Sequence, residues 1–328
     1  MYKRMLVPLD GSRLSEVVCE YAQALANRLG MDLVLLHVCS PEEMDLFPLH
    51  KAYINKITES LTLECAETHQ RAGNRPNKKP GARQGEIICG RPAEEILHYA
   101  STHDIDLIIM ATHGRTGIGT GALGSVTSHV ISASEVPVWL VPSCIAGEIV
   151  YDEWPTNKIL VPLDGSGLAE CVLPHVENLV AQRDSGGVEV ILLKVCQATN
   201  IPPYYMDAMM PYKSKENVWQ DLIEQENESL QYLARIEKRL KKAGITVNTQ
   251  VLTGKPANEI LDFANSTPLN LIIMSTHGES GVVQWAYGSV VDKVLHEVAS
   301  PVFLVRPEEA CDRNILNLTA TGGRSSHV

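Results

Sequence analysis

Phenylalanine is almost missing: 3 residues in 328, with all aromatics at 5% of the chain. The core must therefore be aliphatic, built from Leu, Ile, Val and Ala. Basic residues are the scarcer charge, 28 Lys and Arg against 39 Asp and Glu, for a formal net charge of −11. That deficit argues against nucleic acid or an anionic membrane as partner, since either needs a basic face or tail. No apolar run approaches the ~20 residues of a membrane-spanning helix. The start, MYKRMLVPLDGS, shows no basic-then-apolar leader, and its apolar run from Met5 to Leu9 reads as a strand. The eight cysteines (19, 39, 65, 89, 144, 171, 196 and 311) include no CxxC pair and no zinc spacing. Most sit in apolar runs as small buried hydrophobes, which favours packing over a redox role even for Cys39 and Cys196 at strand ends. These absences set the expectation of a cytoplasmic, reduced protein.

What the chain does contain is a repeat. At 328 residues, 45% hydrophobic and 20% charged, it has the length of about two globular domains. LVPLDGS occurs at Leu6–Ser12 and at Leu160–Ser166; LVLLHV at Leu33–Val38 returns as VILLKV at Val190–Val195. GRPAEEIL at Gly90–Leu97 returns as GKPANEIL at Gly254–Leu261, and DLIIMATHG at Asp106–Gly114 as NLIIMSTHG at Asn270–Gly278. GSVTSHVISASEVPVWLVP from Gly124 returns as GSVVDKVLHEVASPVFLVR from Gly288. Five blocks in one order mean a duplicated domain, with a period far too long for a solenoid.

Each half alternates short apolar runs with longer helical patterns. Strands are expected at 4–9, 32–39, 85–89, 106–111 and 137–142, then at 158–163, 188–196, 247–253, 270–275 and 302–306. Helices are expected at 13–29, 50–72, 93–103 and 122–134, with a long charged one at 214–243. Continuous runs such as LIIM suit parallel strands covered on both faces. The fold class is α/β: two doubly wound, open, parallel five-stranded sheets of Rossmann-like type. Expected units are a first domain at 1–143, a polar linker at 144–156, a second domain at 157–307 and a mobile tail at 308–328. The Met- and Tyr-rich stretch at 201–212 is expected to pack as a loop on the domain junction, with a lid as the other reading.

Ligands of such sheets bind at the carboxyl ends of the strands, where the strand order reverses. Asp10 and Asp164 each close a first strand, and a glycine-containing loop follows each fourth strand into a helix opening near Gly124-Ser125 or Gly288-Ser289. Backbone N–H groups in such a loop, with a helix N-terminus behind them, suit a phosphate. An acid across the crevice suits a ribose hydroxyl or a base edge. GxxxxGK[ST] is absent, so there is no P-loop lysine. GTGALG at Gly119–Gly124 fits GxGxxG but follows the fourth strand, where a dinucleotide fingerprint would follow the first.

Taken in order, these motifs resemble those of a tandem universal stress protein over nearly all of residues 3–306. The family's ATP-binding pattern, G-x2-G-x9-G-[ST], is kept in spacing as Ala111, Gly114, Gly124-Ser125 and as Ser275, Gly278, Gly288-Ser289, with the first glycine replaced in both copies. The resemblance implies an adenine nucleotide α-hydrolase-like fold that binds ATP, AMP or ADP, with Mg²⁺ arriving on the nucleotide. It implies that Asp10 and Asp164 face adenine or ribose, that Val38 and Val195 offer backbone groups to adenine, and that Gly114, Gly124 and Ser125 in the first site and Gly278, Gly288 and Ser289 in the second hold the phosphates. Pro8, Leu9, Met110, Ala111, His113, Arg115, Gly117 and Val126 are further candidates for nucleotide contact in the first site. It implies further that the last strands pair the two domains as an internal pseudo-dimer, and that the chain forms a homodimer.

Plainer roles exist for the same residues. Asp10 and Asp164 can simply cap the next helix. Gly114 and Gly278 can serve turns that need φ > 0, and Ser125 and Ser289 open helices under any reading. His113 and His277 have no spaced nucleophile, so loop packing is expected of them rather than catalysis. The halves differ after THG: Arg115 in the first, Glu279 in the second. A carboxylate ~4 Å from a phosphate charge costs roughly 1 kcal/mol in water and ~4 kcal/mol at an effective dielectric of 20. The first half is therefore expected to be the stronger site. With no general base, nucleophile or metal cage in view, hydrolysis is expected to be slow or absent. The other reading is a nucleotide-free scaffold of the same family, favoured by Ala111 and Ser275; adenylyl transfer is a third, without a visible substrate domain.

Overall fold

A computed structural model describes residues 2–71, 81–112, 123–142, 157–181, 187–197, 212–278 and 287–307. In the first half the strands are β1 (Arg4–Leu9), β2 (Asp32–Cys39), β3 (Arg83–Cys89), β4 (Leu107–Ala111) and β5 (Val138–Val141). Its helices are α1 (Arg13–Leu29), α2 (Phe47–Arg71), α3 (Pro92–Thr102) and α4 (Ser125–Ala133), with a 3₁₀ turn, Pro41–Leu46, before α2. The second half has β6 (Asn157–Pro162), β7 (Val188–Cys196), β8 (Thr246–Thr253), β9 (Leu271–Ser275) and β10 (Val302–Val305). Its helices are α5 (Gly167–Glu170), α6 (Leu173–Ala181), α7 (Tyr212–Lys242), α8 (Pro256–Ser266) and α9 (Ser289–Glu297).

Local chemistry sets the helix boundaries. Ser12 caps α1 by accepting from the Ser15 N–H at 3.2 Å, and Gly30 ends the helix in the left-handed region at φ 69°. In the second copy Ser166 caps α5 in the same way, accepting from the Ala169 N–H at 3.1 Å. The helix is then broken into α5 and α6, and Pro174 at the start of α6 accounts for the break because it has no N–H to give the preceding turn. Pro92 and Pro256 sit at the first positions of α3 and α8, where a missing N–H costs nothing, so those turns are architectural.

The strands order as β3-β2-β1-β4-β5-β10-β9-β6-β7-β8. Every pairing is parallel except β5 with β10, which run antiparallel with Trp139 opposite Phe303. Two five-stranded parallel sheets thus join through their last strands into one ten-stranded sheet. Helices cover both faces. One core layer packs Val18, Leu25, Ile54, Val176, Leu233 and Leu240 beneath α1, α2, α6 and α7. The other packs Ile96, Val130, Ile260 and Val294 beneath α3, α4, α8 and α9.

The core is largely aliphatic, as the composition requires. Four of the scarce aromatics gather at the seam, where Trp139 and Phe303, both fully buried, meet edge to face at 5.6 Å. Tyr21 and Tyr2 flank them, and Tyr2 Oη lies 2.5 Å from His175 Nδ1 of the other half. The Tyr2–His175 pair joins the halves by a side-chain hydrogen bond in addition to the strand pairing.

Candidate functional site

Within each half the five strands run the same way, so their carboxyl ends share one edge. The chain moves outward from β1 to β2 and β3, then returns to the other side of β1 as β4. These two reversals, between β1 and β4 and between β6 and β9, are where an open α/β sheet characteristically leaves a crevice between diverging loops. Asp10 follows β1 and Asp164 follows β6 at those two points.

Each aspartate is held by the turn after it. Asp10 Oδ1 accepts the Ser12 N–H at 2.9 Å. Asp164 Oδ1 accepts the Ser166 N–H at 2.8 Å and the Ser166 hydroxyl at 2.6 Å. These bonds fix the carboxylates beside the helix caps without making them the caps, since Ser12 and Ser166 carry that role. Both aspartates are half-buried.

Gly278 touches Asp164. A β-carbon on Gly278 would collide with Asp164 Oδ2, and its φ lies outside the left-handed region, so glycine is needed there for space rather than for turn geometry. Ser275, in the place of the pattern's first glycine, turns its hydroxyl onto the His277 carbonyl at 2.6 Å and so closes the turn itself. Thr276 and His277 are buried in that turn, with Thr276 Oγ1 3.0 Å from His277 Nδ1, the packing role expected of His277. The Gly288 N–H donates to the Thr276 carbonyl at 2.8 Å, tying the start of α9 to the exit of β9. In the first half the Gly124 N–H donates to Thr112 O at 3.0 Å, and Thr127 Oγ1 to Ala111 O at 3.1 Å.

Gly124 and Gly288 are the N-caps of α4 and α9, and neither supplies a side-chain oxygen. Among the described residues no side chain caps the first turn of either helix, and Ser125 and Ser289 there are exposed. Pro8, Val38, Val126 and Val195 are half-buried around this edge, whereas Leu9, Met110 and Ala111 are buried in the layers beneath it. His113, Gly114, Arg115, Gly117 and Glu279 lie outside the described residues, as do 144–156, 201–211 and 308–328.

Two positions escaped sequence reasoning. His37 in β2 and Lys194 in β7 are the single polar residues inside matching apolar runs, and each reaches the backbone at the end of the first strand of its half. His37 Nδ1 lies 2.8 Å from Leu9 O, and its buried ring stacks on His50 at 4.6 Å. Lys194 Nζ donates to Asp164 O at 2.6 Å and lies 5.5 Å from the centre of the Tyr232 ring. Burial, then the Glu170 carboxylate, pushes the Tyr232 hydroxyl well above its ordinary range. Tyr53 is raised in the same way by burial and then by Glu16. The shared polar position in LVLLHV and VILLKV was the available signal.

The fold defines a tandem α/β protein, two copies of one domain joined in a single sheet. The universal stress protein family, as described by its profile, matches residues 1–142 and 155–306, and the chain belongs to that family. It is 34% identical over 154 residues to the universal stress protein MJ0577 of Methanocaldococcus jannaschii, covering 43% of this chain and 95% of that one. A universal stress protein structure from Archaeoglobus fulgidus superposes with a TM-score of 0.57 at 21% identity, over 92% of this chain and 98% of that chain. A protein of unknown function from Pseudomonas aeruginosa, PA1789, does so with a TM-score of 0.64 at 14% identity, over 98% of both. At those identities the likeness bears on the fold. Among the described residues no helix is long and apolar enough to cross a membrane.

Proposed function

We propose that this chain binds an adenine nucleotide, ATP or its mono- or diphosphate, at the carboxyl ends of the strands in each half of its sheet and acts in the cytoplasm as a nucleotide-dependent stress-response protein. The observation that carries this reading is the contact of Gly278 with the Asp164 carboxylate beside the uncapped start of α9. It brings together an acceptor suited to ribose or base, a position without a β-carbon and a helix start that no described side chain caps, the kinds of group that base, sugar and phosphate would need. The spacing of Gly278, Gly288 and Ser289 follows the family's nucleotide pattern, and the first half repeats it through Gly114, Gly124 and Ser125.

The fit is one of binding groups. Asp10 and Asp164 would hold the sugar side, backbone groups at Val38 and Val195 the base, and the α4 and α9 amides with Ser125 and Ser289 the phosphates. Arg115 adds attraction in the first half where Glu279 opposes it in the second, so the first site is the tighter. A bound nucleotide supplies phosphate charge, and Mg²⁺ would be carried in on it. Binding then biases conformation or association, with hydrolysis slow or absent.

The test is direct. Protein purified without added nucleotide is heat-denatured and the released nucleotides are separated by chromatography, while calorimetry titrates ATP-Mg²⁺, ADP and AMP into stripped protein. Adenine nucleotide in the supernatant, or saturable binding lost in an Asp10→Ala/Asp164→Ala variant, is the expected result. Neither release nor binding would favour the nucleotide-free scaffold.

A further inference from the structure

β2 and β3 end level with one another, and their last residues are both cysteines: Cys39 pairs in register with Cys89. Residues in register on adjacent strands point to the same face, about 4.7–4.9 Å apart along the hydrogen-bonding direction, within the span that a disulfide bridges. The two Sγ atoms lie 2.6 Å apart, inside van der Waals contact, so the thiols face one another directly. Cys39 is fully buried, Cys89 is half-exposed, and the Cys89 thiol donates to the exposed Met44 thioether at 3.1 Å. Both residues stand at strand ends, so loops rather than ladder take up the adjustment that bridging requires.

We propose that Cys39 and Cys89 form a reversible redox pair, oxidised to an intramolecular disulfide by a hydroperoxide and returned to thiols by a dithiol. Cys89 is the member an oxidant reaches. Its thiolate attacks a peroxide oxygen; the O–O bond breaks, the leaving hydroxide takes up the thiol proton as water, and Cys89 becomes a sulfenic acid. Cys39 then attacks that sulfur; the S–S bond forms as the S–O bond breaks, and hydroxide departs with the Cys39 proton as a second water. Two thiols lose two electrons and one hydrogen peroxide gains them.

The geometry assigns the roles in this order. Burial, then the neighbouring Cys89 sulfur, pushes the Cys39 thiol up to about 11, which keeps it a protonated reserve until the sulfenic acid beside it needs a partner. The second half lacks the device: Cys196 stands in register opposite Thr253 and shares a 3.2 Å contact with Ser229 Oγ instead. The inference does not depend on nucleotide binding. Because Cys39 directly follows Val38, the bond would form at the edge of the first crevice.

The full-length reduced protein is exposed to hydrogen peroxide, blocked with an alkylating agent, and its thiols are counted in denaturant and mapped by peptide mass spectrometry. The expected result is a loss of two of the eight thiols, a Cys39–Cys89 linked peptide, and full recovery with dithiothreitol. Cys39→Ser and Cys89→Ser each abolish the linked peptide, while Thr253→Cys, which copies the pair into the second half, raises the loss to four. Failure of the pair to form in wild type, a different pairing, or Cys89 accumulating as sulfinic acid with Cys39 still a thiol would each overturn the proposal.

Discussion

Replacing Gly278 with alanine tests the geometry of the second crevice most directly. The new β-carbon would overlap Asp164 Oδ2, so either the carboxylate or the loop must move. Asp164 is not free to swing: its other oxygen accepts from the Ser166 N–H at 2.8 Å and the Ser166 hydroxyl at 2.6 Å, and its carbonyl accepts from Lys194 at 2.6 Å. A hydrogen bond to a charged group contributes about 1.5–3 kcal/mol. Water at this half-exposed site replaces part of what is lost, so displacing the carboxylate should cost about 2 kcal/mol in all. If the loop moves instead, Gly278 leaves the crevice, and nucleotide affinity falls about tenfold for each 1.4 kcal/mol of lost interaction. Urea denaturation reads the first cost and calorimetric titration the second. Asp164→Ala removes the collision along with the carboxylate, so in that background Gly278→Ala should be nearly silent, a coupling that a double-mutant cycle isolates. Gly288→Ala is the control: its nearest neighbour is Thr276 O at 3.6 Å and its φ is an ordinary −69°, so it should cost no more than the ~1 kcal/mol of a poorer N-cap. Equal effects of Gly278→Ala with and without Asp164 would refute the reasoning.

At the seam, Trp139→Ala empties a fully buried site against Phe303 and should destabilise the chain by about 3–5 kcal/mol, read from the urea midpoint. His175 is held below its ordinary 6.5 by burial, so the unfolded chain binds the extra proton first and stability should fall as pH drops below about 6.5. His175→Asn, which keeps an acceptor for Tyr2, should flatten that slope in denaturation series from pH 7.5 to 5; an unchanged slope would count against it. In calorimetric titrations, Arg115→Glu should weaken the first nucleotide site and Glu279→Arg strengthen the second by about tenfold each. Tighter binding to the unmodified second site would reverse the assigned order.

The sequence and the structure agree wherever the information is local or repeated. The ends of β1, β2, β7 and α1 fall within a residue of expectation because each is bounded by a turn or a cap: Asp10-Gly11, Gly30, Ser12. The repeat doubled every such signal, and it is enough by itself to put Asp10 and Asp164 at the strand-order reversal. What escaped was information that exists only between strands. Cys39 and Cys89 are fifty residues apart and look like two buried hydrophobes until register makes them neighbours. Lys194 is one polar residue in an apolar run until β7 carries its ammonium beneath Asp164. The need for glycine at 278 looked like turn geometry and proved to be a close approach from a residue 114 positions away. The asymmetry between the halves has the same origin. Duplication copied the motifs, while His37 against Lys194 and Cys89 against Thr253 diverged at positions that pairing alone brings to the strand ends. Two halves of common descent on one continuous sheet thus differ at their strand ends while the strands that join them keep their pairing.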